Sequence, residues 1–171
     1  MTRFQDLLAA SPNSSPSREQ DRASRELPAV VRASRLHWWE PSAPPAGGTA
    51  VLLVVAPWSH YDLAMLDVLD ESVPGPDRPG EAPPVFVANL ERYRSVEELT
   101  ADIPILESFP FQSPIAALWR DGAFRNVAWG KAGRDLVADA LDLPPEAFNE
   151  QVIARTPRYS PSPDRTSHVG A

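Results

Sequence analysis

The sequence predicts an α/β fold built on a sheet of mixed strand direction. Two apolar strands come first, Thr49–Ala56 (TAVLLVVA) and Val85–Leu90 (VFVANL), and helical periodicity follows each of them. A strand that is apolar on both faces is typical of the centre of a sheet that helices cover on each side. Two further strands, Ile115–Arg120 and Phe124–Trp129, flank an Asp-Gly pair, which is a strong hairpin signal.

The helices are predicted from the spacing of apolar residues and from capping residues. Leucines recur at every third position over residues 63–69, directly after the first strand. After the second strand, Ser95 and Glu98 have the S-x-x-E spacing of a capping box. Residues 132–143 form a last amphipathic helix. The predicted order is therefore β-α-β-α-β-β-α.

Proline sets the predicted domain boundaries. The 20 prolines cluster at 12–44, 74–84 and 144–163, which indicates a compact centre with extended, proline-rich termini. We expect a flexible Arg/Ser/Pro-rich arm over residues 1–35, one folded domain over 36–150 and a flexible tail over 151–171. Within the arm, only residues 4–10 are expected to form one or two helical turns.

The charge distribution argues against nucleic-acid binding. The net charge of −7 divides into +2 over residues 1–35, −11 over residues 36–154 and +2 over residues 155–171. A nucleic-acid-binding domain carries a basic surface on its folded part, and this chain has the reverse. The folded part contains an acidic set formed by Asp67, Asp70, Glu71, Asp77 and Glu81. This set could steer a basic partner toward the protein, or it could simply form a solvated helix face and loop.

Cysteine is absent from the chain, which excludes disulfides, thiolate nucleophiles and dithiol redox chemistry. The longest apolar run, residues 50–57, is far too short to span a bilayer, and the N-terminal residues carry no signal-peptide pattern. We therefore expect a cytoplasmic protein without a transmembrane segment. Peripheral association with a membrane complex stays open.

Several segments occur in the order of a known family. A buried strand runs into APWSHYD (56–62) and a helix, and FQSPIAALWRDG (111–122) later leads into the hairpin. Gly130 then precedes the last helix. Over roughly residues 49–143 the chain resembles the thioredoxin-like superfamily. The resemblance implies a mixed sheet with flanking helices and a cis peptide bond before Pro114.

The resemblance also shows what this chain lacks. Ser59 and Asp62 stand where the family has its two redox cysteines, and Leu53 stands where the family carries a buried carboxylate. Family chemistry needs a thiolate, and a serine hydroxyl ionises far too weakly to replace it. The expected function is therefore that of a non-catalytic accessory protein, as an adaptor, assembly factor or structural subunit of a larger protein complex. We expect no catalytic residue, metal or cofactor.

The resemblance implies a partner-binding groove between the helix turn and the proline loop, where an extended chain pairs in the manner of strand addition. Its candidate contact residues are Trp58, His60, Tyr61, Gln112, Ser113 and Pro114. Two adjacent tryptophans, Trp38 and Trp39, point to opposite faces if they lie on a strand. One of them could anchor a partner, or both could cover the edge of the sheet.

Two other interpretations compete with protein binding. The Ser59–Asp62 segment holds a hydroxyl, an imidazole and a carboxylate, but neighbours on a helix do not face one another, and Ser59 is better explained as an N-cap with Asp62 as its capping-box partner. His60 has only two other histidines in the chain for a metal site. The alternative function is a glutathione- or small-ligand-binding, transferase-like protein in which Ser59 or Tyr61 polarises a thiol.

Overall fold

A five-stranded mixed sheet with helices on both faces forms the centre of the computed structural model. The structure describes residues 3–9, 15–40, 47–75, 77–78, 80, 82–106 and 112–157. A 3-10 helix at Phe4–Leu8 comes first. The helices are α1 (Pro16–Arg32), α2 (His60–Ser72), α3 (Val96–Asp102), α4 (Gly130–Ala140) and α5 (Pro145–Arg155). The strands are β1 (His37–Trp38), β2 (Thr49–Val55), β3 (Val85–Asn89), β4 (Ile115–Arg120) and β5 (Ala123–Trp129).

The sheet has the strand order β1-β3-β2-β4-β5. β1, β3 and β2 run parallel, and β4 and β5 continue the sheet in antiparallel pairs. This confirms the predicted α/β class with a thioredoxin-like arrangement. It also explains why β2 is apolar along its length, since β3 and β4 flank it and both of its faces are covered.

Side chains of β2 alternate between two hydrophobic clusters. Val51, Leu53 and Val55 pack with residues of the 3-10 helix, α1, α2, α4 and α5. Leu52 and Val54 point to the other face, where they pack with residues of α3, β4 and β5. The period-two alternation of a strand thus joins the two layers of the core.

The prediction of a flexible arm over residues 1–35 is wrong for α1. Ala23, Leu27 and Val31 are fully buried and are spaced four residues apart, so one face of α1 belongs to the core. Composition obscured this stripe, because the first half of α1 is rich in Ser, Arg and Glu and holds few apolar residues. Pro16 lies in the first helical turn, where proline is favoured. The short helix expected within residues 4–10 is confirmed by the 3-10 helix at Phe4–Leu8.

The acidic face of α2 is less solvated than its composition suggests. Asp67 is buried, and its carboxylate accepts hydrogen bonds from the backbone N–H of Phe4 at 2.8 Å and of Gln5 at 3.2 Å. Desolvation raises the pKa of the Asp67 carboxyl, and these two hydrogen bonds lower it. The expectation that Asp67 belongs to an exposed face is therefore wrong. It holds the N-terminal 3-10 helix against α2.

Two further acids of this set also contact neighbouring segments. Asp70 accepts a hydrogen bond from Arg35 N at 2.7 Å, and Glu71 pairs with Arg155 of α5 at 2.5 Å. Asp77 is exposed, and Glu81 lies outside the described residues. Since α5 extends to Arg155, the predicted flexible tail from residue 151 is wrong for residues 151–155. Residues 158–171 lie outside the described part.

The contribution of α1 to the core can be measured directly. We expect Leu27→Ala to lower the free energy of unfolding by about 2–5 kcal/mol, because it leaves a cavity at a fully buried position. Arg25→Ala, on the exposed face of the same helix, is the matched control and should change stability by less than about 0.5 kcal/mol. Urea unfolding of the full chain measures both variants. Equal stability of the two would show that α1 does not pack on the core.

Candidate functional site

The first turn of α2 lies at the end of β2, where the chain leaves the sheet. Ser59 is the N-cap, and its Oγ accepts a hydrogen bond from Asp62 N at 3.2 Å. This confirms the N-cap interpretation of Ser59. The capping-box half is wrong, since Asp62 Oδ2 accepts from Ala56 N at 2.8 Å and thereby ties the turn to the end of β2. Ser59 and Asp62 each accept a hydrogen bond from a backbone N–H, and His60 is exposed. These three side chains are therefore not arranged as a catalytic relay.

The segment before β4 lies beside this turn. The Ser113–Pro114 peptide bond is cis, as the resemblance implies. Pro114 O accepts a hydrogen bond from Gly130 N at 2.9 Å. A Cβ on Gly133 would lie 2.9 Å from the same carbonyl oxygen, so only glycine lets α4 approach so closely. β4 and α4 therefore fix the position of Ser113 and Pro114.

Together with the end of α5, these two segments form a groove of about 680 Å³, which we call the aromatic groove. It is lined by Trp58, Ser59, His60, Tyr61, Ser113, Ile153, Ala154, Thr156 and Pro157. The groove combines apolar side chains with hydroxyls and one imidazole. Such a mixture is typical of recognition sites, where apolar walls bury a ligand and a few polar groups orient it.

In the described part of the chain, three large apolar side chains are exposed, and all three line this groove. Trp58 is 41% exposed, Tyr61 is 52% exposed and Ile153 is 59% exposed. Single exposed apolar residues are common on protein surfaces, but a cluster of them in a concave site indicates an interaction surface.

The structure brings together four of the eight candidate contact residues: Trp58, His60, Tyr61 and Ser113. Pro114 is buried beneath the groove, and Gln112 is exposed beside it. Gln112 packs over Gly130, where a Cβ would lie 2.3 Å from Gln112 Oε1. Both residues therefore border the groove without lining it.

The two tryptophans of the N-terminal part lie elsewhere, at the β1 edge of the sheet. They point to opposite faces as expected, and each packs on a different hydrophobic cluster. Trp39 is only 4% exposed, and its ring makes an edge contact with Phe86. Trp39 therefore presents no surface to a partner, and the interpretation that the pair covers the sheet edge fits its packing.

The contribution of α5 to the groove is not apparent from the sequence. Ile153 follows the buried Val152 and lies one residue off the buried stripe of α5, which leaves it exposed. Only the packing of α5 against α2 carries Ile153 to the groove. An apolar residue next to the buried stripe of a helix is only a weak indication of a binding surface. The local sequence pattern also does not predict which distant residues Ile153 contacts.

Asp62 is the buried polar side chain beneath the groove. Its side chain has no exposed area, and Oδ1 accepts no hydrogen bond within the described residues. Desolvation raises the pKa of the Asp62 carboxyl to about 6. The N–H of Ala56, the hydroxyls of Ser113 and Ser59 and the charge of Arg134 act in the opposite direction. At this pKa the carboxyl changes charge close to neutral pH.

Two further features are absent from the described residues. No group of three or more His, Asp or Glu side chains there could hold a metal ion. No helix in that part of the chain is both long enough and apolar enough to cross a membrane. Comparison with known proteins identified no relative, since no family model, no curated protein and no solved structure matches the chain.

The buried carboxyl predicts a specific pH dependence of stability. Asp62 has a folded pKa of about 6 against an ordinary value of 3.8, so between about pH 4 and 6 the folded state binds a proton that the unfolded state has released. Stability therefore falls as pH rises through this range. Asp62→Asn keeps an oxygen for Ala56 N–H and removes the ionisation.

We expect the stability of the Asp62→Asn variant relative to wild type to increase by about 2 kcal/mol between pH 4 and pH 8. Urea unfolding at a series of pH values measures the difference, in which the other titrating groups cancel. A difference that is constant with pH would contradict the assignment.

Proposed function

We propose that this chain is a redox-inactive member of the thioredoxin-like superfamily that works without catalysis, as an accessory protein of a larger protein complex. It acts by binding an extended segment of a partner protein in the aromatic groove. The observation that carries this proposal is the convergence of Trp58, Tyr61 and Ile153, the large apolar side chains exposed in the described residues, on one concave surface.

The composition of the groove supports binding through a few dominant contacts. Tryptophan and tyrosine are enriched among the residues that contribute most to protein interfaces, because each buries a large area and loses little side-chain entropy. Trp58 directly precedes Ser59, the N-cap of α2, and Tyr61 lies in the first turn of that helix. The capped start of the helix therefore holds both residues in place, and a partner would order few additional groups on binding.

Main-chain groups beside the groove support strand addition as the binding mode. The backbone N–H and C=O groups of Gln112 and Ser113 make no hydrogen bond to another described residue. An extended segment that pairs with them would place alternate side chains toward Trp58 and Tyr61. The acidic balance of residues 36–154, −11, favours a segment with basic flanks, since opposite charge accelerates association.

Variants of the groove test this function. We expect the full chain, used as bait in its native cell extract, to retain a stoichiometric partner. Trp58→Ser, Tyr61→Ser and Ile153→Ser should each weaken retention, and the aromatic variants should lower affinity by about 30-fold, as loss of a contact worth about 2 kcal/mol does. Titration of the purified partner measures the affinities.

Arg125→Ser, an exposed change on the edge strand β5, is the control and should leave affinity unchanged. Because all four positions are exposed, the variants should keep the wild-type fold, and circular dichroism checks this. Equal partner retention by wild type and all groove variants would contradict binding at the groove. Retention of the chain on immobilised glutathione, lost in Tyr61→Ser, would instead support the ligand-binding alternative.

A further inference from the structure

Asp62, the buried acid beneath the aromatic groove, has incomplete hydrogen bonding. Asp62 Oδ2 accepts from Ala56 N at 2.8 Å, whereas Oδ1 is buried without a hydrogen-bond partner in the described part of the chain. A buried polar atom that lacks a partner costs free energy, so an unpaired carboxylate oxygen favours either a proton or a nearby donor. Either a bound proton or a nearby hydrogen-bond donor would therefore stabilise the Asp62 carboxyl.

The groups able to satisfy Oδ1 belong to the groove. Ser59 Oγ accepts a hydrogen bond from Asp62 N at 3.2 Å, and Ser59 and Ser113 both line the aromatic groove. Both hydroxyls lower the pKa of the Asp62 carboxyl, although neither is bound to Oδ1 in this structure. A hydroxyl can donate one hydrogen bond and accept two, and its proton rotates to suit its neighbour. A hydroxyl proton that turns toward an ionised carboxylate leaves the hydroxyl oxygen as an acceptor, whereas a proton that turns away can be donated to another group.

We propose that Asp62 is a proton-linked switch that sets the hydrogen-bonding character of the groove floor. Ionised, the carboxylate draws the hydroxyl protons of Ser59 and Ser113 inward, so their oxygens accept hydrogen bonds from an occupant. Protonated, Asp62 donates to a serine oxygen, which frees a hydroxyl proton to be donated into the groove. Neutral pH then favours an occupant that brings an N–H donor to the floor, and mildly acidic pH disfavours it.

Few charged groups surround Asp62, and most of them already have partners of their own. From α4, Arg134 contributes a favourable charge, and its Nε is bound to Asn149 Oδ1 of α5 at 2.8 Å. From α5, Arg155 pairs with Glu71. The segments at Ala56 and Ser113 contribute uncharged groups. His60, on the same helix turn as Asp62, lines the groove and must be separated from it experimentally.

An NMR titration of the free protein tests the switch without any partner. In a His60→Gln background, we expect the amide signals of Ser59 and Ser113 and the indole N–H of Trp58 to shift with one midpoint. That midpoint should equal the midpoint of the Asp62 carboxyl carbon, close to pH 6. Adding Asp62→Asn should abolish these shifts. Groove signals that do not titrate, or that still titrate after Asp62→Asn is added, would overturn the proposal.

Ser113→Ala provides a second, independent variant. If the Ser113 hydroxyl donates to the ionised carboxylate, its loss should raise the Asp62 midpoint by about half a pH unit, since one hydrogen bond to the charged form is lost. An unchanged or lower midpoint would also overturn the proposal. The inference rests on the proposed function only for the identity of what the groove binds. Failure of the NMR pH titration would therefore refute the switch alone, and failure of the partner-binding titration would refute the proposed function alone.

Discussion

Burial of β2 on both faces is the constraint on which the rest of the structure depends. Its side chains alternate between two hydrophobic clusters, and its backbone pairs with β3 on one side and β4 on the other. The strand therefore cannot shift by one residue without moving every side chain to the opposite cluster. Because β2 is fixed, the turn that follows it and the first turn of α2 are fixed too. The aromatic groove begins at that turn.

Carboxylates of α2 connect the remaining segments to this centre. Asp67 receives two backbone N–H groups of the 3-10 helix, Asp70 receives Arg35 N, and Glu71 pairs with Arg155. The N-terminal and C-terminal segments thus meet on one helix. The attachment of α5 has a functional consequence, since it forms one wall of the groove. One row of acids consequently contributes to both the fold and the candidate site.

The polar residues at the start of α2 have structural partners. Ser59 caps α2, and Asp62 is buried and accepts a hydrogen bond from Ala56 N. What is left at the surface is an aromatic and aliphatic rim, formed by Trp58, Tyr61 and Ile153, above a floor of two hydroxyls.

Local patterns determined the elements and the turn chemistry of this protein. The apolar runs predicted β2 and β3 closely, the Asp-Gly pair at 121–122 predicted the hairpin, and Ser59 was predicted as a cap. These features depend on neighbours in sequence, so the sequence alone contains them. Burial depends on distant segments instead. Only the tertiary structure decided that α1 packs on the core, that Asp67 is buried and that Ile153 reaches the groove, because each results from contact with a segment far away in the chain.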